Sequence, residues 1–153
     1  WEQVLYIYFD KKDYQNLVKT TEDALDLFPN QASAYYFNGL GYNGLHKPND
    51  ALSALQQAIV MTAKNPPLSF NVLREMGESH YQLKKYPQAE KALNDALQLN
   101  PKDPAALERL GDVQYQLGKP NEALQFWQKA MEHGGKSETL QRKVLEGKLV
   151  EGS

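Results

Sequence analysis

Leu73, Met76, Gly77, Tyr81, Ala89, Ala96 and Asp103 recur 34 residues later as Leu107, Leu110, Gly111, Tyr115, Ala123, Ala130 and Ser137. A period of this length constrains the fold more than any other feature of the chain. Each copy is a supersecondary piece too small to bury its own apolar face, so copies must stack, and a solenoid results in place of a closed globular core. Function then has to reside on a surface that the stack creates.

Extending the period along the chain divides it into units at about 1–31, 32–65, 70–103 and 104–137. The third and fourth have identical length with no gap. The second carries Tyr35, Gly39, Tyr42, Ala51, Leu55 and Ala58 at matching places and ends in an insertion, Asn65-Pro66-Pro67-Leu68, that reads as a loop. The first keeps Tyr8, Tyr14 and Ala24 but has Leu5 and Leu17 where the other units carry Gly and Ala. Within each unit the apolar residues fall at helical spacing in two stretches separated by a short turn. The spacing predicts helices over about 1–11, 13–28, 31–45, 48–63, 68–84, 87–99, 104–117, 120–133 and 137–149. Asp103-Pro104 is a helix start, because aspartate caps free amides and proline needs no partner in a first turn. Lys47-Pro48 and Lys119-Pro120 open second helices in the same way. Gly39 with Ala51, Gly77 with Ala89 and Gly111 with Ala123 place side-chain-poor positions where paired helices touch, so their axes can approach. Gly44 falls at an outward position.

The last helix carries Leu140, Val144, Leu145 and Leu149 towards one side and Gln141, Arg142, Lys143, Glu146 and Lys148 towards the other, the pattern of a solvating cap over about 138–150. Four aliphatics amid mixed charge fit a cap better than a basic helix on a membrane surface. Its apolar side should cover Phe126 and Trp127. Glu151-Gly152-Ser153 reads as a tail. The chain begins at Trp1 without methionine, so the whole, a single domain over 1–150, is expected to be a fragment of a longer chain with further helices upstream.

A net charge of −2 lacks the cationic excess that nucleic acid requires, and no apolar run reaches the length of a membrane span. Without cysteine there is neither disulfide nor thiol chemistry. His46, His80 and His133 lie in different units without metal-ligand spacing. Ser79 and His80 are adjacent on a helix and point about 100° apart, so they cannot form a nucleophile–base pair. Glu75 and Glu78 share a helix face but read as ordinary surface carboxylates open to water. Gly39-x-Gly41-x-x-Gly44 has the letters of a dinucleotide fingerprint but lacks the preceding strand. No catalytic residue, metal or cofactor is therefore expected.

The pattern Leu-x-x-Leu-Gly followed by an aromatic, then Ala, an aromatic, Ala and Pro, clearest in AALERLGDVQYQLGKPNEALQFWQKAM, resembles the tetratricopeptide repeat. Departures are Asn38 in place of a leucine, His80 and Gln114 where tyrosine is usual, and Gly135 at the end of the fourth unit. The resemblance implies an all-α, right-handed superhelical solenoid of helix-turn-helix units with a C-terminal capping helix. It also implies that the outward stripe of each first helix lines a concave, ligand-holding side. That stripe comprises Tyr6, Phe9 and Asp10; Tyr36, Phe37, Leu40 and Asn43; Arg74, Glu75, Glu78, Tyr81 and Gln82; and Glu108, Arg109, Asp112, Tyr115 and Gln116. One half is aromatic and the other of mixed charge. The subclass that grips a C-terminal carboxylate with lysine and asparagine is not matched, since Tyr36 or Arg74 and Leu40 or Glu78 stand at those places.

The expected function is a non-catalytic interaction scaffold holding another protein, as an extended peptide or partner helix, at Tyr6, Phe9, Tyr36, Phe37, Leu40, Asn43, Arg74, Glu78, Tyr81, Arg109, Asp112 and Tyr115. The alternative is a structural or self-assembling segment of a longer solenoid. A weaker similarity of ALDLFPNQASAYYFNGL and the stretch from LGDVQYQ to SETL to repeat lipoproteins of Bacteroidota implies a periplasmic, outer-membrane-associated location.

Overall fold

The computed structural model describes residues 1–150. Among these the chain is all-helical: α1 (Glu2–Asp10), α2 (Tyr14–Leu27), α3 (Ala32–Gly44), α4 (Pro48–Ile59), α5 (Pro66–Gln82), α6 (Tyr86–Leu99), α7 (Pro104–Gln116), α8 (Pro120–Glu132) and α9 (Glu138–Glu146). Each of α1, α3, α5 and α7 pairs with the helix after it, and each of α2, α4 and α6 also packs on the first helix of the next pair. First helices additionally meet one another, α3 against α5 and α5 against α7, so they line the inner side of the stack.

The internal turns repeat one device. Lys12, His46, Lys84 and Gly118 all adopt left-handed backbone, with φ of 54°, 57°, 58° and 79°. The following residue's N–H then reaches back to Tyr8 O, Tyr42 O, His80 O or Gln114 O at 2.8–2.9 Å, closing the Schellman motif that satisfies a helix's last carbonyls. His46 is thus a turn residue. Only Gly118 takes this conformation without the strain that a side chain brings.

The expected loop at Asn65-Pro66-Pro67-Leu68 is instead the first turn of α5. Asn65 accepts the Leu68 N–H through its side chain at 3.2 Å, and the two prolines occupy positions whose N–H would have no helical partner. The real connection is 60–65.

Glycines do set the close approach within pairs. A Cβ on Gly39 would lie 2.5 Å from Leu55 Cγ, one on Gly77 2.6 Å from Leu93 Cγ, and one on Gly111 2.5 Å from the Trp127 ring. The facing group is therefore the residue four beyond each expected alanine, while the alanine admits the backbone. Gly44 is not outward: the Tyr14 ring fills the place of its Cβ. Asn38, in place of a leucine, is buried and donates to Thr21 Oγ1 at 2.9 Å across the α2–α3 contact. Gln114 likewise reaches Glu90 on α6.

The cap differs in one respect that matters. Leu140 is buried against Trp127, as expected, but Lys143 is also buried, at 4% exposure, and Leu145 is 86% exposed. With α9 rotated to seat Leu140 and half-bury Val144, position 143 falls on the inner face and 145 outside it. The tail at 151–153 lies outside the described residues.

Candidate functional site

Two polar networks tie the inner side together. Between α3 and α5, Asn43 Nδ2 donates to Glu75 O and to Glu75 Oε2, both at 3.0 Å. Ser79 Oγ donates to Asn43 Oδ1 at 2.8 Å, and Gln82 Nε2 to Asn43 O at 3.1 Å. Ser79 is thereby a buried structural hydroxyl, hydrogen-bonded well away from His80 chemistry. His80 Nδ1 has no partner among the described residues, and burial lowers its pKa.

Between α5, α7 and α9, Arg109 is held on three sides: Glu78 Oε2 at 2.7 Å, Asp112 Oδ2 at 2.9 Å, and the Tyr81 ring centroid 4.4 Å from its guanidinium carbon. Burial opposes the Arg109 charge, but Glu78, Asp112 and Tyr81 outweigh it, and its pKa is raised. Asp112, 2% exposed at its side chain, also accepts from Trp127 Nε1 at 3.0 Å and pairs with Lys143 Nζ at 2.9 Å. Glu108 lies 3.6 Å from the same ammonium. Arg74 spans to Asp103, at 3.5 Å, with its guanidinium over Phe70.

The aromatic half is not the open surface the sequence implied. Tyr6 and Phe9 are 57% and 39% exposed, but Tyr36, Phe37, Leu40 and Asn43 are at 5–7%. Adjacent first helices approach closely enough that large side chains on α3 fill the gaps beside it. Phe37 packs edge-on beneath Tyr6 with centroids 5.1 Å apart, and Tyr36 lies against Phe37 at 5.0 Å. Burial, and next the Glu75 charge, push the Tyr36 hydroxyl up to about 12. Asp112 is likewise internal. Of the expected contact residues, Tyr6 and Phe9 are exposed and Arg74, Glu78, Tyr81, Arg109 and Tyr115 partly so. Tyr36, Phe37, Leu40, Asn43 and Asp112 hold the groove's shape from below.

Two cavities open on this side. One, of about 390 Å³, is lined by Phe9, Lys12, Tyr14, Leu40, Asn43, Gly44, His46, Glu75, Glu78 and Gln82. The other, of about 240 Å³, is lined by Arg74, Glu75, Glu78, Leu93, Ala105, Glu108 and Arg109. Sequence reasoning missed Lys143, Tyr14 and Lys12. Their stripe positions gave no signal, because one enters from the cap and two from the first turn and second helix. Glu75, read as open to water, is partly buried. Burial raises its pKa against the opposing hydrogen bond from Asn43 and the Arg74 charge. No group of His, Asp or Glu among the described residues forms a metal cluster.

Residues 74–135 match the family model for the tetratricopeptide repeat. The helix pairs in that stretch, α5 with α6 and α7 with α8, match the tetratricopeptide repeat. A stretch of 107 residues, 70% of this chain, is 31% identical to the protein named STIP1 homolog in Dictyostelium discoideum, of which it covers only 18%. Among solved structures, a thermophilic tetratricopeptide-repeat protein of Thermus thermophilus superposes with a TM-score of 0.76 over 94% of this chain and 77% of its own, at 19% identity. MamA gives 0.75 over 92% and 80%, also at 19% identity. MamA from residue 41 onward of Desulfovibrio magneticus RS-1 gives 0.73 over 86% and 72%, at 20% identity. At these identities the likeness concerns the fold. The chain is an all-α solenoid of helical repeats whose residues 74–135 match the tetratricopeptide repeat, and no described helix is long and apolar enough to cross a membrane.

Proposed function

We propose that the chain is a non-catalytic scaffold that holds an extended peptide or a helix of another protein along the groove of its first helices. The observation that carries this reading is the rigid groove floor. Buried Tyr36, Phe37, Leu40 and Asn43 fix the spacing of α1, α3 and α5, while Tyr6 and Phe9 are exposed and Tyr81 and Tyr115 partly exposed. A surface ordered before binding loses little freedom on contact, and exposed aromatics supply area at low entropic cost. Contact residues are accordingly Tyr6, Phe9, Arg74, Glu78, Tyr81, Arg109 and Tyr115. The test is selection of binders from a random-peptide display library, followed by amide chemical-shift mapping. Shifts concentrated on α1, α3, α5 and α7 support the groove; shifts confined to α2, α4, α6 and α8 overturn it.

A second reading, association of the solenoid through its first helix, is favoured by Trp1, Val4 and Ile7, which are 44%, 41% and 50% exposed. Val4 and Ile7 correspond to Asn38 and Gly41 of α3, both buried beneath α2, where a Cβ on Gly41 would meet Val18 at 2.8 Å. Sedimentation of the wild type and of Val4→Glu with Ile7→Glu tests it: a dimer that the variant dissolves supports self-association.

A further inference from the structure

Glu75 stands where the two groove cavities meet and lines both. Charged groups around it are already matched. Of the acidic side chains on α5 and α7, Glu78 has Arg109 at 2.7 Å, Asp112 has Arg109 and Lys143 at 2.9 Å, and Glu108 has Lys143 at 3.6 Å. Arg74 is directed to Asp103. Glu75 alone of these has no cation at ion-pair distance among the described residues. Its one side-chain hydrogen bond is the Asn43 amide. Asn43 is itself buried and held by Ser79, so the carboxylate is oriented by a fixed donor, while Arg74 and Arg109 act on it only from beyond ion-pair distance. A withdrawn carboxylate of this kind is poorly solvated and gains from an arriving cation more than a surface glutamate does. The burial that raises its pKa is the same effect seen from the proton's side.

The 390 Å³ cavity beside it has room for a long basic side chain. Phe9, Tyr14 and Leu40 supply apolar lining, and Glu75 and Glu78 two carboxylates. Methylene stems pack on aromatic rings and cationic heads are attracted to their faces. Lys12 and His46 also border the cavity, but both are exposed at their turns, where water screens them. Tyr36, Arg74, Arg109 and Glu78 are the other charged and titratable groups that act on Glu75.

We infer that the cavity between α1, α3 and α5 is a pocket for one lysine or arginine side chain of the bound peptide, with Glu75 as its counter-ion. The inference rests on the groove reading and gives it a specificity. The experiment selects a random dodecapeptide display library on the wild type and on Glu75→Gln, which keeps an acceptor for Asn43 and whose folding is checked by circular dichroism. Wild-type binders should share a basic residue at one position. Replacing that residue by norleucine should weaken binding to the wild type about tenfold and to Glu75→Gln less than about threefold. Groove-bound peptides without a common basic position, or an equal norleucine effect on both proteins, overturn the pocket and leave the groove standing. A common acidic position transfers the site to Lys12 and His46 and also overturns it. Binders that map to the second helices overturn both readings.

Discussion

Replacing Lys143 by methionine isolates the contact that joins the cap to the repeats. Methionine preserves most of the stem but removes the ammonium. Lys143 and Asp112 are 6% and 2% exposed at their side chains and 2.9 Å apart, so water does little to compensate the loss. Removing one member of a buried pair typically costs about 3–5 kcal/mol. Asp112 retains Arg109 and the Trp127 N–H, which places the expected loss nearer 2–3 kcal/mol, or about 5–10 °C in Tm for a chain of this size. In a repeat array the damage should appear first where the contact was: amide protons of α9 should exchange faster than those of α5 or α7. Arg142→Met is the control on the adjacent residue. Its partner Glu146 lies 3.4 Å away and the arginine side chain is 53% exposed, so under about 1 kcal/mol is expected. Calorimetry and hydrogen exchange on both variants decide the matter. Equal melting temperatures for the two, with unchanged α9 protection, would refute the idea that a buried ion pair clasps the cap.

Trp127, fully buried against Gly111 and Leu140, should lose about 3–5 kcal/mol as Trp127→Ala and expose α9 to proteolysis; unchanged melting and digestion would contradict the packing. Gly44→Ala should destabilise by about 1–3 kcal/mol, because Tyr14 occupies the Cβ position, and a neutral result would show that the ring yields freely. Lys84→Gly should raise stability by about 0.5–1 kcal/mol in denaturant titration by relieving a left-handed side chain at φ 58°, whereas Gly118→Ala should lower it. Since the folded pKa of Glu75 lies above its ordinary 4.5, the native state binds the proton more tightly than the unfolded state does. The stability of the wild type relative to Glu75→Gln should therefore fall as pH rises from below 4.5 through the folded pKa, and a difference that rises with pH would invert the assignment. Tyr6→Ala with Phe9→Ala should weaken a groove-selected peptide by about 2 kcal/mol with the fold intact, while Tyr36→Ala with Phe37→Ala should unfold the N-terminal pairs first.

The 34-residue recurrence and the helical spacing within it were sufficient to determine the helix pairs, their order and the cap, because stacking identical units leaves almost no topological choice. Gly77 and Gly111 were legible as close-approach points for the same reason: a repeated absence of side chain marks a repeated contact. Pro66-Pro67 was ambiguous, since proline breaks a helix and also begins one, and only the Asn65 cap resolved which. What the sequence could not convey is the distance between neighbouring first helices. That spacing decides whether an outward stripe is open or filled, and it left Tyr6 and Phe9 accessible while sinking Tyr36, Phe37 and Leu40. Nor does charge alone identify its partner. Lys143 belongs on the wet side of α9 by hydropathy, and it lies inside because Asp112, 31 residues earlier, is buried directly beneath it. Periodicity is a local property and was written in the chain; pairing across helices is a property of three-dimensional proximity and exists only once the repeats have stacked.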